Sequence, residues 1–186
     1  MRFHCRTLVR TVLAMCTGTL LAACAATPQP APSAAPPGGG QGMVSSAHPL
    51  ATRAGMEVLE AGGSAIDAAI AVQAMLGLVE PQSSGLAGGA FLLHYRAGDG
   101  RIDAYLGRER APSAADASLF LDAAGDPMPR SEAMLSGRAT GVPGVLPALE
   151  AAHADHGRLP WSTLFASAAD TATSGFIVTP RLEQHI

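Results

Sequence analysis

Residues 65–79 form the stretch that most restricts how this chain can fold. The stretch reads Ala-Ile-Asp-Ala-Ala-Ile-Ala-Val-Gln-Ala-Met-Leu-Gly-Leu-Val, which is apolar nearly all round a helix. A helix without a polar face has to be buried, because too little of its surface tolerates water. Ser64 and Asp67 give it a start that resembles a capping box, and Pro81 ends it. The sequence therefore predicts a buried helix over 65–79.

Local signals predict the elements around this helix. Pro in the first turn and a following Gly pair predict a helix that begins at His48-Pro49 and runs to about Ala61. Alternating apolar residues on both sides of Ala-Gly-Asp-Gly predict a β-hairpin, with strands at 90–96 and 101–106. The remaining predictions are a short strand at 43–46, helices at about 144–156 and 161–174, and a long irregular connection at 107–143. These elements together indicate layered α and β structure.

The first 23 residues read as an export signal. Arg2, Arg6 and Arg10 precede an apolar stretch that is too short for a membrane-spanning helix. Leu21-Ala-Ala-Cys24 then resembles the bacterial lipobox, in which the Cys is lipidated before cleavage in front of it. The alternative is an ordinary Ala-x-Ala cleavage site that lies near a Cys by chance. We expect a signal peptide at 1–23 and a lipid on Cys24.

The cysteines and the following segment fit this interpretation. Cys5 and Cys16 lie inside the predicted signal, so Cys24 is the single thiol of the mature chain, which rules out an internal disulfide or a Cys-based metal site. Residues 24–42 combine this Cys with a Pro- and Gly-rich tether that cannot form a core. We expect the protein on the periplasmic side of a bacterial membrane, with its folded part starting near residue 43. Ala25 follows the Cys, and the resemblance to Gram-negative lipoproteins implies the outer membrane, because Asp is lacking at this position.

The charge of the chain argues against nucleic acid as a partner. The formal net charge is −3, and all 12 basic residues are Arg. Without the three in the signal, nine Arg remain against 15 acidic residues, a net charge of −6. A nucleic-acid-binding domain normally has the opposite sign.

Several segments in order resemble the start of the large subunit of gamma-glutamyltranspeptidases. They cover residues 43–186, which we expect to be the incomplete N-terminal part of such a domain. The segments are Gly42-Met-Val-Ser-Ser-Ala-His48, Leu59-Glu-Ala-Gly-Gly-Ser-Ala-Ile-Asp-Ala-Ala-Ile-Ala-Val72, Pro81-Gln-Ser-Ser-Gly-Leu-Ala-Gly-Gly-Ala-Phe-Leu92, Gly107-Arg-Glu-Arg-Ala-Pro112, Gly141-Val-Pro-Gly144, His156-Gly-Arg-Leu-Pro-Trp161 and Gly175-Phe-Ile-Val-Thr-Pro-Arg-Leu182.

The resemblance implies an α+β fold, part of the αββα sandwich of the N-terminal nucleophile hydrolases. In that family a precursor cleaves itself, and the new N-terminal Thr of the small subunit attacks a gamma-glutamyl amide. The nucleophile therefore lies beyond this chain, and we expect the 186 residues alone to be inactive. Thr171 and Thr173 lie in a part that resembles the large subunit, so neither is expected to be the nucleophile.

Arg108 is the main candidate for substrate binding. The resemblance implies that it pairs with the substrate α-carboxylate, and a guanidinium offers two parallel charge-assisted hydrogen bonds for this. Glu109 would orient Arg108 or approach the substrate α-amine. The alternative is an ordinary surface ion pair at a strand end. Arg110 stands where the family segment usually has Thr.

Other polar residues carry weaker expectations. The backbone N–H groups of Gly85, Gly88 and Gly89 would bind an anion, or these glycines would only allow the chain to turn tightly into the strand at 90–96. His153 and His156 lie three apart on a predicted helix without an evident third ligand, so we expect a solvated face, no metal site and no cofactor.

The function that this resemblance implies is gamma-glutamyl transfer or hydrolysis on glutathione-like compounds. One alternative is a relative that resembles cephalosporin acylases or processes polyglutamate, because these share the N-terminal architecture. Another is a non-catalytic lipoprotein remnant that acts as a binding module.

Overall fold

The computed structural model describes residues 42–186, which form six α-helices and one two-stranded antiparallel sheet. The predicted signal peptide and nearly all of the tether lie outside the described residues. The elements are α1 Pro49–Glu60, α2 Ala65–Val79, β1 Ala90–Arg96, β2 Arg101–Gly107, α3 Arg130–Leu135, α4 Val145–His156, α5 Ala166–Ser174 and α6 Pro180–Glu183. No helix within 42–186 is long and apolar enough to cross a membrane.

Helix α2 lies at the centre of the described part, as its apolar sequence predicts. None of its residues from Ile66 onward is exposed. One side, with Ile66 and Ile70, packs against buried residues of α4 and the turn after it. The other side, with Ala71, Met75 and Val79, packs against Ala51 and Ala54 of α1. A helix with neighbours on two opposite sides needs apolar residues on both, which explains the missing polar face.

The start of α2 is fixed by the predicted capping box. The Ser64 hydroxyl accepts a hydrogen bond from Asp67 N at 3.1 Å, and the Asp67 carboxylate accepts one from Ser64 N at 2.8 Å. The same Asp67 Oδ2 also accepts from the backbone N–H groups of Arg158 and Leu159, at 2.9 and 3.2 Å. One fully buried carboxylate thus joins the start of α2 to the segment that follows α4.

The hairpin is confirmed, and its two faces have different surroundings. The strands pair in antiparallel register through a turn that Gly100 closes with a φ of 70°. Leu92, His94, Asp103 and Tyr105 face α4, and the Tyr105 hydroxyl donates to Asp155 at 2.8 Å. The opposite face is exposed and apolar in the described part. We call it the uncovered face; its large residues are Phe91, Leu93, Tyr95, Ile102 and Leu106.

Three predicted elements differ in the structure. Residues 43–46 form no strand and join no sheet within 42–186, so the predicted strand is wrong for the described part. The predicted helix at 161–174 is a 3₁₀ turn, Trp161–Phe165, followed by α5, because Pro160 O accepts from both N and Oγ1 of Thr163. The connection 107–143 contains the short helix α3.

Candidate functional site

Strand β2 and the start of α4 fix the position of Arg108. Gly107 ends β2 so close to α4 that a Cβ on it would lie 2.8 Å from Ala148 Cβ and 2.8 Å from Gly144 O. Any larger residue would push the strand end away from the helix. The backbone that precedes Arg108 is therefore held against α4.

Arg108 and Glu109 form an ion pair whose guanidinium remains accessible. Arg108 Nη1 lies 3.3 Å from Glu109 Oε2, and the two side chains are 59% and 34% exposed. A pair this exposed contributes at most about 1 kcal/mol to stability. The contact fits both a surface ion pair and a substrate-binding Arg that Glu109 orients, and the role of each residue stays a prediction.

Glycines enclose the Glu109 side chain on two sides. A Cβ on Gly89 would overlap the Glu109 carboxylate, and a Cβ on Gly141 would lie 2.9 Å from Glu109 Cβ. Gly88 O accepts hydrogen bonds from Gly144 N and Val145 N, at 3.1 and 3.2 Å. The Gly-rich loop thus makes a tight strand entry that positions Glu109, which is the plainer of the two predictions for these glycines.

Two shallow clefts meet at Arg108. One, of about 420 Å³, lies between β2 and the start of α4; the other, of about 340 Å³, lies between residues 108–112 and 138–141. Arg108 and Arg110 line both clefts, and Arg138 lines the second. Arg138 Nη1 donates to the carbonyls of Leu119 and Leu121, each at 3.2 Å, so the connection holds this guanidinium in place.

Three guanidinium groups near one carboxylate make this region suited to an anionic ligand. Arg110 and Arg138 were not predicted as site residues. Arg138 is remote in sequence from Arg108, and only the fold of the connection brings the two to one cleft. The sequence distinguishes Arg110 only because the family segment usually has Thr at this position. Arg110 forms a backbone bridge to Val142, with hydrogen bonds of 3.2 and 2.8 Å, that ties the strand end to the entry of α4.

Thr171 and Thr173, neither of which is expected to be the nucleophile, use their hydroxyl groups in hydrogen bonds within helix α5. Thr171 Oγ1 donates to Ser167 O at 2.8 Å, and Thr173 Oγ1 donates to Ala169 O at 3.0 Å. Cys24, the predicted lipidation site, lies outside the described residues.

The predicted solvated face of α4 is wrong. The side chains of His153 and His156 are only 20% and 13% exposed. His153 Nε2 is 2.9 Å from Leu159 O, and His156 Nε2 is 3.0 Å from Asp103 Oδ2. Because β2 and the segment after α4 cover this side of the helix, both rings pack inward. His156 also comes near His94, so that His94, Asp103 and His156 offer ligand atoms within 4.8 Å of one another.

Both the family model and the similar sequences indicate gamma-glutamyltranspeptidases or glutathione hydrolases. The family model described as Gamma-glutamyltranspeptidase matches residues 51–186. The chain is 42% identical over 154 residues to a glutathione hydrolase proenzyme of Bacillus subtilis, which covers 80% of this chain and 25% of the relative. The chain therefore spans about a quarter of the length of that relative.

Solved structures agree with this match. The chain superposes on gamma-glutamyltranspeptidase of Helicobacter pylori with a TM-score of 0.72 and 35% identity, over 80% of this chain and 42% of that one. Cephalosporin acylase of Bacillus halodurans gives a TM-score of 0.64 with 28% identity, over 84% of this chain and 30% of that one. The predicted fold class is confirmed: the described part is an α+β portion of an N-terminal nucleophile hydrolase. The chain belongs to the gamma-glutamyltranspeptidase family.

Proposed function

We propose that the complete protein transfers or hydrolyses the gamma-glutamyl group of glutathione-like compounds, with Arg108 binding the substrate α-carboxylate. The observation that carries the proposal is the accessible Arg108 guanidinium at the meeting of two clefts, with Glu109 beside it. A planar guanidinium binds a carboxylate through two parallel hydrogen bonds. The membership of the family supports this assignment.

The neighbouring charges assist the binding of a zwitterionic glutamyl group. Arg110 and Arg138 add positive charge around the clefts, which attracts the α-carboxylate. Glu109 has two possible tasks: its carboxylate orients Arg108, or it accepts a hydrogen bond from the substrate α-amine. Its close packing against Gly89 and Gly141 fits either task, because a substrate-binding group needs a fixed position.

The chemical step needs a nucleophile from a later part of the precursor. In the proposed reaction, the hydroxyl of the N-terminal Thr of the small subunit attacks the gamma-carbonyl carbon, and its own α-amine takes up the hydroxyl proton. The amide C–N bond then breaks, the amine leaves with that proton, and the glutamyl group stays on the Thr as an ester. The acyl-enzyme then passes the glutamyl group to an amino acid, a peptide or water. The residues of this chain bind and orient the glutamyl end of the substrate during both steps.

The uncovered face of the hairpin is the proposed contact for that later part of the precursor. Phe91 and Leu93 are 70% and 73% exposed within the described part, and three more large apolar residues extend the same face. An apolar sheet face of this size is normally packed against another layer. The chain spans only part of its relatives, so a second layer supplied by the same precursor is the occupant that we propose.

A second candidate function is amide hydrolysis of the cephalosporin-acylase type. The structural similarity to the acylase of Bacillus halodurans favours it. The Arg108 environment favours a glutamyl substrate instead, because its charges match an α-carboxylate and an α-amine.

The activity of the complete gene product tests the proposal. We expect it to release the aniline from a gamma-glutamyl anilide, and to do so much faster than it cleaves a glutaryl or adipyl amide that lacks the α-amine and α-carboxylate. We expect residues 43–186 alone to release none and to bind a hydrophobic dye through the uncovered face. A complete product that prefers the glutaryl or adipyl amide would support the acylase function. If the 43–186 fragment were soluble and bound no dye, the uncovered face would not be a contact surface for the rest of the precursor.

We also propose that Cys24 carries a lipid and anchors the protein on the periplasmic side of a bacterial membrane. Leu21-Ala-Ala-Cys24 and the Pro- and Gly-rich tether behind it support this. We expect labelled fatty acid to enter the wild-type protein in cells, and Cys24→Ala to abolish the label. Cys16→Ala, which changes a thiol inside the signal, should leave the label unchanged. Equal labelling of wild type and Cys24→Ala would show that Cys24 is not the acceptor.

A further inference from the structure

Three potential metal ligands meet between the hairpin and helix α4. His94 of β1 and Asp103 of β2 are directly opposite each other in the strand register, on the face that α4 covers. His156 is the last residue of α4 and reaches this pair from the other side. The centroids of the two imidazole rings are 4.2 Å apart, and His156 Nε2 is 3.0 Å from Asp103 Oδ2.

The polar atoms that meet here lack hydrogen bonds. His94 Nδ1, Asp103 Oδ2 and His156 Nε2 are buried atoms without a hydrogen-bond partner, and so is Arg96 Nε, which lies 3.4 Å from Asp103 Oδ2. The 3.0 Å approach of His156 to Asp103 does not have the alignment of a hydrogen bond. Buried polar atoms without a partner are unfavourable, and the ligand atoms of the two His and Asp103 are close enough to share one ligand.

We propose that His94, Asp103 and His156 bind a Zn²⁺ ion. Two imidazole nitrogens and one carboxylate oxygen form a ligand set that Zn²⁺ prefers, whereas Mg²⁺ and Ca²⁺ prefer six or more oxygens. The three ligand atoms lie within 4.8 Å of one another. Tetrahedral ligands at about 2.1 Å from zinc are roughly 3.4 Å apart, so side-chain shifts of about 1 Å complete the geometry.

The surrounding charges favour a divalent cation. Arg96 Nε lies 3.4 Å from Asp103, which opposes binding, but Arg96 Nη2 is also paired with Asp99 at 2.6 Å. Asp155 lines a cleft together with Asp103 and His156, and its carboxylate accepts a hydrogen bond from the Tyr105 hydroxyl. Arg101 is opposite Arg96 in the strand register, so three carboxylates stand against two guanidinium groups, and the remaining negative charge favours a bound cation.

The fourth coordination position opens toward solvent. Asp103 and His156 line a cleft of about 530 Å³ together with Tyr105 and Asp155, which gives the ion a path of entry. Water from this cleft is therefore the fourth ligand, and the ion joins both strands to α4.

The competing account is a direct contact between His156 and Asp103 that binds no metal. Metal binding by the complete gene product, purified without a His tag, separates the two accounts. We expect one Zn²⁺ per chain after dialysis, a rise of several degrees in Tm on adding Zn²⁺, and no rise with Mg²⁺. Asp103→Asn and His94→Leu should each weaken Zn²⁺ binding by at least about tenfold, because even indirect contacts to a metal are worth that much.

The control is His185→Gln, which removes an exposed imidazole remote from these strands. It should bind Zn²⁺ like the wild type. Co²⁺ provides a readout of the ligands themselves: it should give the visible absorption of a four-coordinate site in wild type and lose it in Asp103→Asn. A normal far-UV spectrum of Asp103→Asn would show that the variant is folded. Equal Zn²⁺ affinity of wild type and Asp103→Asn would overturn the proposal in favour of the direct contact.

Discussion

Replacing Arg108 by Ala in the complete protein should lower kcat/KM for a gamma-glutamyl anilide by about 10- to 100-fold. Loss of a charge-assisted hydrogen bond costs roughly 1.5–3 kcal/mol, and about 1.4 kcal/mol corresponds to a factor of ten in rate. Arg108→Lys keeps the charge but loses the planar fork, so its activity should lie between wild type and Arg108→Ala. Steady-state kinetics on purified variants measure these differences.

The deciding comparison uses an anilide that lacks the α-carboxylate. Wild type should strongly prefer the gamma-glutamyl anilide, and Arg108→Ala should lose most of that preference. Arg53→Ala is a matched control, because Arg53 also forms an exposed ion pair, 3.5 Å from Glu57, but lies on α1 away from both clefts. If Arg108→Ala kept the substrate preference of wild type, Arg108 would be a surface residue and the glutamyl assignment would lose its main support.

Replacing Asp67 by Ala should destabilise the protein by about 3 kcal/mol or more, because three backbone N–H groups lose their acceptor and each unsatisfied buried donor costs about 1–3 kcal/mol. Asp67 Oδ2 accepts backbone hydrogen bonds from Ser64, Arg158 and Leu159, and the residue is 0% exposed. Calorimetry on the complete protein should show a marked fall in Tm. Asp170→Ala, at an exposed position on α5, should change stability by less than about 0.5 kcal/mol. A similarly small change for Asp67→Ala would show that water replaces the carboxylate.

The Asp67 contribution should depend on pH. Burial raises the pKa of this carboxyl group, but hydrogen bonds from the backbone of Ser64, Arg158 and Leu159 and from the Ser64 hydroxyl outweigh it, so the pKa is lowered in the folded state. A lowered pKa stabilises the protein above the unfolded-state pKa of about 3.9, and this stabilisation is lost as the pH falls through the folded-state value. The stability difference between wild type and Asp67→Asn should therefore be largest near neutral pH and shrink in acid.

The helices and the hairpin could be predicted because their signals are local. Ser64 and Asp67 are three residues apart and cap the helix that they begin. The turn at 97–100 lies between two alternating strands that pair only with each other in the described part. The division of 161–174 into a 3₁₀ turn and α5 was missed, since it depends on how Pro160 and Thr163 bond at one helix end.

The site was only partly predictable because its geometry is non-local. Arg108 could be proposed from its segment, but the clefts at which it lies also depend on Arg138 and the entry of α4. His153 and His156 were expected to face solvent because a spacing of three on a helix does not reveal which neighbour covers it. The meeting of His94, Asp103 and His156 requires the strand register and the position of α4 together.

The uncovered face has a consequence for biosynthesis. The hairpin and the pair α1 and α2 are made from neighbouring stretches of chain, so they can form within microseconds of leaving a ribosome or translocon. Synthesis at about 5–20 residues per second leaves the exposed face of Phe91, Leu93 and Tyr95 without the second layer that we propose for many seconds. Within 42–186 the outer backbone of both strands has no partner strand, so in that time it can pair with strands of other chains. Holdase chaperones should therefore recognise this stretch in newly made protein, and a Leu93→Glu change should weaken that recognition while also impairing final assembly.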